Sequence, residues 1–330
     1  MRIAIIGAGG IAARHVEQLT RIANVRITAV VDISVVAATR LCSVTGAKFY
    51  LKLDDALPHF DAAYVLTPPG SRVEVIRTLA AAGKAVFCEK PIATNLADAI
   101  EITDLVTSSE ILFMMGFTRR WHPPYKQLKS LIDNGACGRP LQLFRQRIGY
   151  LPIAKGNWRI DARQLCGLTI ESVSHDIDLM RWLGGEISSA SGVILGSRDD
   201  VPGYDDTMAA TLRFTSGATG VIHVSWASLV ERNECGVIGS SAAAVIRGSG
   251  MWASESIEKR GFSDELQLLS PIDPGDANEF GYRGENRSFI DLLLGRKTDY
   301  PTVYDGLRAL EISLAIVESS RKSMPAHDVK

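Results

Sequence analysis

A β-branched run, Ile3 to Ile6, ends directly in Gly7-Ala8-Gly9-Gly10-Ile11-Ala12, and a helical segment then reaches about Arg21. Such a turn needs one glycine for its tight bend. It needs a second so that backbone N–H groups can approach a pyrophosphate, and a small third residue so that helix and strand pack closely. All three conditions are met, with alanine in the last place. A second strand, Ile27-Thr28-Ala29-Val30-Val31, ends in Asp32, about 20 residues further on, where a carboxylate accepts hydrogen bonds from the ribose hydroxyls of an adenosine. Asp32 or Ser34 equally suits the N-cap of the next helix. Neither Ile33 nor Ser34 neutralises a 2'-phosphate, which favours NAD over NADP, although Arg40 leaves NADP open. Gly7, Gly9, Gly10, Ile11 and Asp32 are therefore expected to bind the dinucleotide.

The strand and helix rhythm continues. Ala62 to Leu66 is a strand broken by Thr67-Pro68-Pro69-Gly70 at the sheet edge that also holds the glycine turn. A helix from about Ser71 to Ala82 leads through Gly83 into the apolar strand Ala85 to Cys88, followed by Glu89-Lys90-Pro91. Ligands of open α/β sheets sit beyond the carboxyl ends of the strands, so Glu89 and Lys90 are expected to project there. A helix over Leu96 to Ser109 and a strand over Ile111 to Met115 complete a doubly wound parallel sheet with right-handed crossovers. The first domain is placed at 1–118, a dinucleotide-binding domain.

At 330 residues the chain exceeds the usual size of one core, so a second domain is expected over 119–330, for substrate binding and oligomerisation. With 36 basic and 37 acidic side chains and no block of like charge, neither nucleic acid nor a membrane surface is an expected partner. Five cysteines without Cys-x-x-Cys spacing argue against a disulfide framework and a zinc site. The first strand begins at once and no apolar stretch approaches membrane-spanning length, so a cytoplasmic protein is expected.

Beyond a basic, aromatic hinge at Arg119 to Pro124, a helix runs to Asn134, and Leu141 to Ile148 alternates as a strand. Tyr150 to Asp161, with Trp158 and Arg159, reads as a loop. A helix over about Thr169 to Leu183 carries Ile170, Val173, Ile177 and Met180 on one stripe and Glu171, His175 and Asp178 on another. Glu171 and His175 stand at i, i+4, near enough for the carboxylate to orient the imidazole. On spacing alone, an ordinary solvated face explains this stripe as well. Strands follow over Ala190–Leu195, Thr207–Phe214, Ala218–Trp226, Glu234–Ile238, Ala242–Arg247 and Glu265–Leu269, with a hairpin turn at Thr215-Ser216-Gly217. Little crossover helix separates them, so the second sheet is expected to be large and mostly antiparallel, with one face covered by a sister subunit in a homodimer or homotetramer. His223 on that sheet is read as structural. Closing helices are expected over Asn278 to Gly295 and Val303 to Ser320.

Taken together, Thr67-Pro68-Pro69, Glu89-Lys90-Pro91, Gly116-Phe117-Thr118-Arg119-Arg120, Trp158-Arg159 and His175 with Asp178 resemble the glucose-fructose oxidoreductase and inositol dehydrogenase family (Gfo/Idh/MocA). The resemblance runs the length of the chain. It implies a dinucleotide-binding domain followed by an α/β domain, and a dehydrogenase that uses NAD, or less readily NADP, on a polyol, inositol or sugar hydroxyl; an NADP-linked reductase of a keto sugar and a non-catalytic NAD(H)-binding regulator stay open as alternatives. It implies that Lys90 touches both cofactor and substrate, and that His175, oriented by Glu171, takes the proton. Thr67, Pro68, Glu89 and Lys90 join the cofactor contacts; Lys90, Thr118, Arg119, Glu171, His175 and Asp178 become the substrate contacts, with no metal. Two departures stand out: Pro68-Pro69 and then Arg72 occupy the stretch where the family often has Pro-Asn and then histidine, and Glu171 stands where aspartate is usual.

Overall fold

The computed structural model of the chain describes residues 1–154, 157–161, 164, 167–263, 265–269 and 280–322. It divides into two units, one formed by Met1–Thr118 with Tyr282–Leu310, the other by Arg119–Gly281 and the chain from Glu311 on.

In the first unit, β1 (Arg2–Ile6), β2 (Arg26–Val31), β3 (Lys48–Tyr50), β4 (Ala62–Val65), β5 (Ala85–Glu89) and β6 (Phe113–Gly116) form a six-stranded parallel sheet in the order β3-β2-β1-β4-β5-β6. The crossover helices are α1 (Gly10–Leu19), α2 (Val35–Thr45), the short α3 (Leu53–Ala56), α4 (Arg72–Ala81) and α5 (Leu96–Ser109). Helices on both faces leave no wet side, which is why β4 is buried throughout and reads as an unbroken apolar run. Local chemistry sets the helix ends. Ser34 accepts from the Ala37 amide at the start of α2, Asn95 accepts from the Asp98 amide at the start of α5, and Gly46 closes α2 at φ 69°.

The return of Tyr282–Leu310 to this unit differs from the expected uninterrupted second domain. Its helix α9 (Tyr282–Leu293) packs on α1, where Asn286 Oδ1 lies 3.2 Å from His15 Nδ1. Phe289 meets the rings of Tyr64 and Phe87, and Pro301 accepts from the Met115 amide. These are tertiary contacts between residues far apart in the chain, which no local pattern announces.

In the second unit, α6 (Pro123–Asp133) precedes β7 (Pro140–Tyr150), followed by α7 (Gly167–Glu171) and α8 (Val173–Gly184). The remaining strands are β8 (Ile187–Leu195), β9 (Thr207–Phe214), β10 (Thr219–Ser225), β11 (Ala227–Gly239), β12 (Ala242–Gly248), β13 (Ser256–Gly261) and β14 (Gln267–Leu269). The eight-stranded sheet has the order β14-β13-β12-β11-β7-β10-β9-β8, antiparallel except between β7 and β10. Gly217, at φ 85°, makes the tight β9–β10 turn. β13 was not expected from the sequence, since Ser256-Ile257-Glu258-Lys259-Arg260 is too polar to read as a strand; its outer neighbour β14 pairs with it. α8 packs on β7 and β10, and α6 on β12 and β13, so one face of this sheet is covered by helices. The last helix, α10 (Val303–Lys322), runs on into this unit. Among the described residues, no helix is long and apolar enough to cross a membrane.

The single helix expected over Thr169 to Leu183 is broken at Ser172. The upstream piece, α7, is seated on Asp205, whose Oδ2 accepts from the Thr169 amide (2.8 Å) and hydroxyl (2.5 Å). Burial pushes the Asp205 carboxyl up to about 6, against the two Thr169 hydrogen bonds. Its folded value lies above the ordinary carboxylate range, so its contribution to stability is full below about pH 4 and is lost as pH rises through about 6. Asp205→Asn keeps the acceptor and removes the charge. Urea unfolding should show the variant gaining about 2 kcal/mol relative to wild type between pH 4.5 and 7.5; an equal difference at both pH values would contradict this.

Candidate active site

The dinucleotide turn is shaped by close backbone approach. At Gly7, with φ 95°, a Cβ would lie 2.9 Å from the backbone of Leu66 and Thr67, so the turn can press on the end of β4 only with glycine there. At Gly9 and Gly10 a Cβ would meet nothing within 4 Å. The backbone there faces open space, and no side chain caps the amino end of α1, so its first N–H groups, those near Gly10 and Ile11 included, are presented to a ligand. Asp32, half-buried, accepts from the Ala8 amide (2.5 Å) and the Ser34 amide (2.6 Å). Ser34, rather than Asp32, caps α2. The Asp32 carboxylate is thus held against the glycine turn, each oxygen with a lone pair left for a ribose hydroxyl. The buried Thr67 hydroxyl has no partner among the described residues. An open glycine cradle, a fixed carboxylate and an orphaned hydroxyl fit a nicotinamide dinucleotide.

Beyond β5, Lys90 is half-buried and its peptide bond to Pro91 is cis. Glu89, expected to project with it, is instead turned inward and only 4 % exposed. Its Oε1 accepts from His15 Nε2 (3.1 Å) and its Oε2 from the Lys90 amide (3.0 Å). The reason is electrostatic: a carboxylate at the end of a buried strand is tolerated where donors surround it. Arg72, also buried, stands where the family often has histidine. It donates to the carbonyl of Thr67 (2.8 Å) and to those of Glu89 and Pro91. Pro68 and Pro69 leave that stretch without amide donors, and Arg72 ties it down through carbonyls.

In the second unit, the sequence-predicted residues meet different fates. From Gly167 to Met180 every residue is buried except His175. Asp178, expected on the substrate, is fully buried in a two-pronged pair with Arg120, at 2.5 and 2.9 Å. A carboxylate inside a protein is kept by such a partner. Arg119, also expected on the substrate, is buried against the rings of Tyr125 and Trp252, with Nη1 3.3 Å from the Tyr125 hydroxyl. Aromatic faces accept a guanidinium, which explains its retreat from solvent. Thr118, the last residue of the first unit, is buried too. Glu171 ends α7 and accepts from Arg159 (3.1 Å), which stacks on Trp158. The break at Ser172 falls between Glu171 and His175, while Ser172 itself keeps right-handed helical backbone angles (φ −100°, ψ −39°).

Sequence reasoning missed the residues that hold His175 in place. Asp176 is fully buried, 2.7 Å from both Arg145 Nε and Arg147 Nη2, and Arg147 also donates to Ser172 Oγ (2.8 Å). Burial pushes the Asp176 carboxyl up, but Arg147 and Arg145 outweigh it and hold the group well below the carboxylate range. The signal was present: Arg145 and Arg147 share one face of a strand whose other residues on that face are apolar.

A doubly wound sheet in the order 3-2-1-4-5-6, with an open glycine cradle and a carboxylate at the end of β2, joined to a unit with a large open sheet, defines a nicotinamide-dependent oxidoreductase. Residues 1–117 match the oxidoreductase family with NAD-binding Rossmann fold, and residues 125–245 match the GFO/IDH/MocA C-terminal domain. Myo-inositol 2-dehydrogenase of Thermotoga maritima is 30% identical over 67% of this chain and 67% of its own. The scyllo-inositol 2-dehydrogenase (NAD(+)) of Bacillus subtilis is 27% identical over 100% of this chain and 97% of its own. The WlbA dehydrogenase of Bordetella pertussis, solved with NADH and UDP-GlcNAcA, shares the fold with a TM-score of 0.85 at 22% identity, over 98% of this chain and 96% of that one. The chain belongs to the GFO/IDH/MocA oxidoreductase family, and its first unit is the NAD-binding domain.

Held by two backbone amides, Asp32 cannot swing away from a 2'-phosphate. NAD should bind more tightly than NADP by about 2 to 4 kcal/mol, and Asp32→Ala should narrow the gap. Titration calorimetry giving equal affinities for the wild-type protein would contradict the role given to Asp32.

Proposed function

We propose that the protein oxidises a ring hydroxyl of an inositol or a related polyol or sugar with NAD, using Lys90 and His175 to handle the proton. The observation that carries this reading is that His175 alone is half-buried within an otherwise buried run from Gly167 to Met180. An imidazole left partly accessible in so tightly packed a segment is suited to exchange a proton with a ligand. Support also comes from Lys90, which stands at the carboxyl edge of the first sheet, with only β4 between its strand and that of the glycine cradle. The substrate class rests on the relatives named as inositol 2-dehydrogenases.

When bound, NAD supplies the acceptor for the hydride that leaves the carbinol carbon. Gly7, Gly9, Gly10 and Ile11 hold its pyrophosphate through backbone groups, Asp32 holds the ribose, and Thr67 and Pro68 line the nicotinamide side. Lys90 Nζ donates to the substrate hydroxyl oxygen and stabilises the charge that grows there as the proton departs. A ring nitrogen of His175 takes that proton. Glu171, fixed by Arg159, orients the imidazole. Run in the other direction, the same groups return the proton to a carbonyl oxygen.

The remaining face of the second sheet is assigned to a second copy of the chain, in a two-fold dimer or a tetramer of dimers. Val193, Leu195, Val221, Ile238 and Leu268 share this face and are all exposed. Exposed apolar side chains grouped on a sheet face that no helix covers are characteristic of an interface. His223 on the same face bonds Gln146 (3.1 Å), in keeping with a structural role. Light scattering at micromolar concentration should give at least twice the chain mass; a monomer would sink the assignment.

The catalytic assignment is tested by following NADH absorbance with a panel of inositols, aldoses and nucleotide sugars. Lys90→Met keeps the stem length and loses the charge, so it should lower turnover by about 10²-fold or more while sparing NADH binding. His175→Ala should do the same. Near wild-type turnover by either variant would show that residue to be structural, and turnover with no inositol, sugar or polyol would overturn the substrate class.

A further inference from the structure

A lysine ammonium sits at the end of a four-carbon stem, so its position is set by the peptide that carries it. That peptide is gripped from two sides. On one side the Glu89 carboxylate accepts the Lys90 amide through Oε2 (3.0 Å) and is itself turned by His15 Nε2 on Oε1 (3.1 Å). His15 is fully buried, and its other ring nitrogen meets Asn286 Oδ1 (3.2 Å), whose amide nitrogen donates to the Tyr282 carbonyl (2.7 Å). The ring orientation is therefore set by α9. On the other side Arg72 gathers the carbonyls before and after Lys90, those of Glu89 and Pro91, together with that of Thr67 at the end of β4.

We propose that His15 and Arg72 are positioning residues for Lys90, His15 acting through the Glu89 carboxylate and Arg72 through the flanking carbonyls. The proposal rests on the reading of Lys90 as a proton-handling residue. Three elements of the dinucleotide site converge on this grip: α1, which starts at the glycine cradle and carries His15; the end of β4 at Thr67; and the end of β5 at Lys90. The grip thus keeps the cradle and the ammonium in one frame. A structural role alone would require any good partner for a buried carboxylate; a positioning role requires the donor at the Nε2 site.

That difference gives the test, made on the full chain with NAD and an inositol turned over by the wild type. In His15→Gln the side-chain amide nitrogen reaches the place of Nε2; in His15→Asn it reaches only the place of Nδ1. His15→Gln should keep kcat within about threefold of wild type, while His15→Asn should lower kcat by about 30-fold with NADH Kd within about threefold, since an ångström of misplacement costs up to about 10² in rate. Arg72→Lys, which cannot span three carbonyls, should lower kcat by about tenfold with NADH Kd unchanged, and it carries the test if His15→Asn does not fold. Wild-type kcat in both His15→Asn and Arg72→Lys, or NADH binding lost in proportion to kcat, would overturn the proposal. Lys90→Met, assayed alongside, separates the two claims. If it is inactive while the positioning variants are fully active, only the positioning proposal falls; if it is active, the reading of Lys90 falls and takes this proposal with it.

Discussion

A charge buried in a protein must be paired, and in this chain pairing fixes the buried carboxylates of both units. In the first unit Glu89 is taken by His15 and the Lys90 amide. In the second, Asp178 is taken by Arg120 and Asp176 by Arg145 and Arg147. Once these pairs are formed, Lys90 and His175 are the half-buried members of the two motifs. Each is flanked by a sealed carboxylate, Glu89 before Lys90 and Asp176 after His175. In the proposed reaction the neighbour supplies rigidity and the half-buried residue supplies reactivity.

The same requirement explains why the fold was legible in the sequence and the site only partly so. Glycine turns, apolar parallel strands and capping residues act over a few positions, so the glycine cradle, the β4 and β5 strands and the hairpin at Gly217 could be read directly. Helical spacing also placed Glu171, His175 and Asp178 on a common polar stripe. Periodicity separates polar from apolar faces, but it does not say which polar residues face an arginine inside. Spacing alone therefore could not announce the Asp178–Arg120 pair, and the break at Ser172, seated on Asp205 through α7, had no local signal. The return of Tyr282–Leu310 to the first unit depends on partners distant in the chain, and the polar strand β13 is held by its neighbours β12 and β14 and not by an apolar pattern of its own. The resemblance supplied the roles of Lys90 and His175; the packing that holds them came from the structure.

The departures from the family pattern become intelligible on the same footing. A proline at position 69 removes an amide donor beside the end of β4, and Arg72, three residues on, binds the neighbouring carbonyls instead. Glu171, one methylene longer than aspartate, accepts from Arg159, whose guanidinium stacks on Trp158. Both changes keep a charged group engaged while altering what it engages. In this account they adjust the surroundings of the reacting groups and leave the reaction class unchanged.

The central claim is that a hydride passes from a carbinol carbon of an inositol or related polyol to NAD. It is tested most directly with an inositol carrying deuterium on every ring carbon, incubated with NAD and the protein, and mass analysis of the reduced cofactor. The account predicts NADH that carries one deuterium, formed together with an equal amount of ketone product. Reduced cofactor without deuterium, or ketone formed without it, would contradict the account.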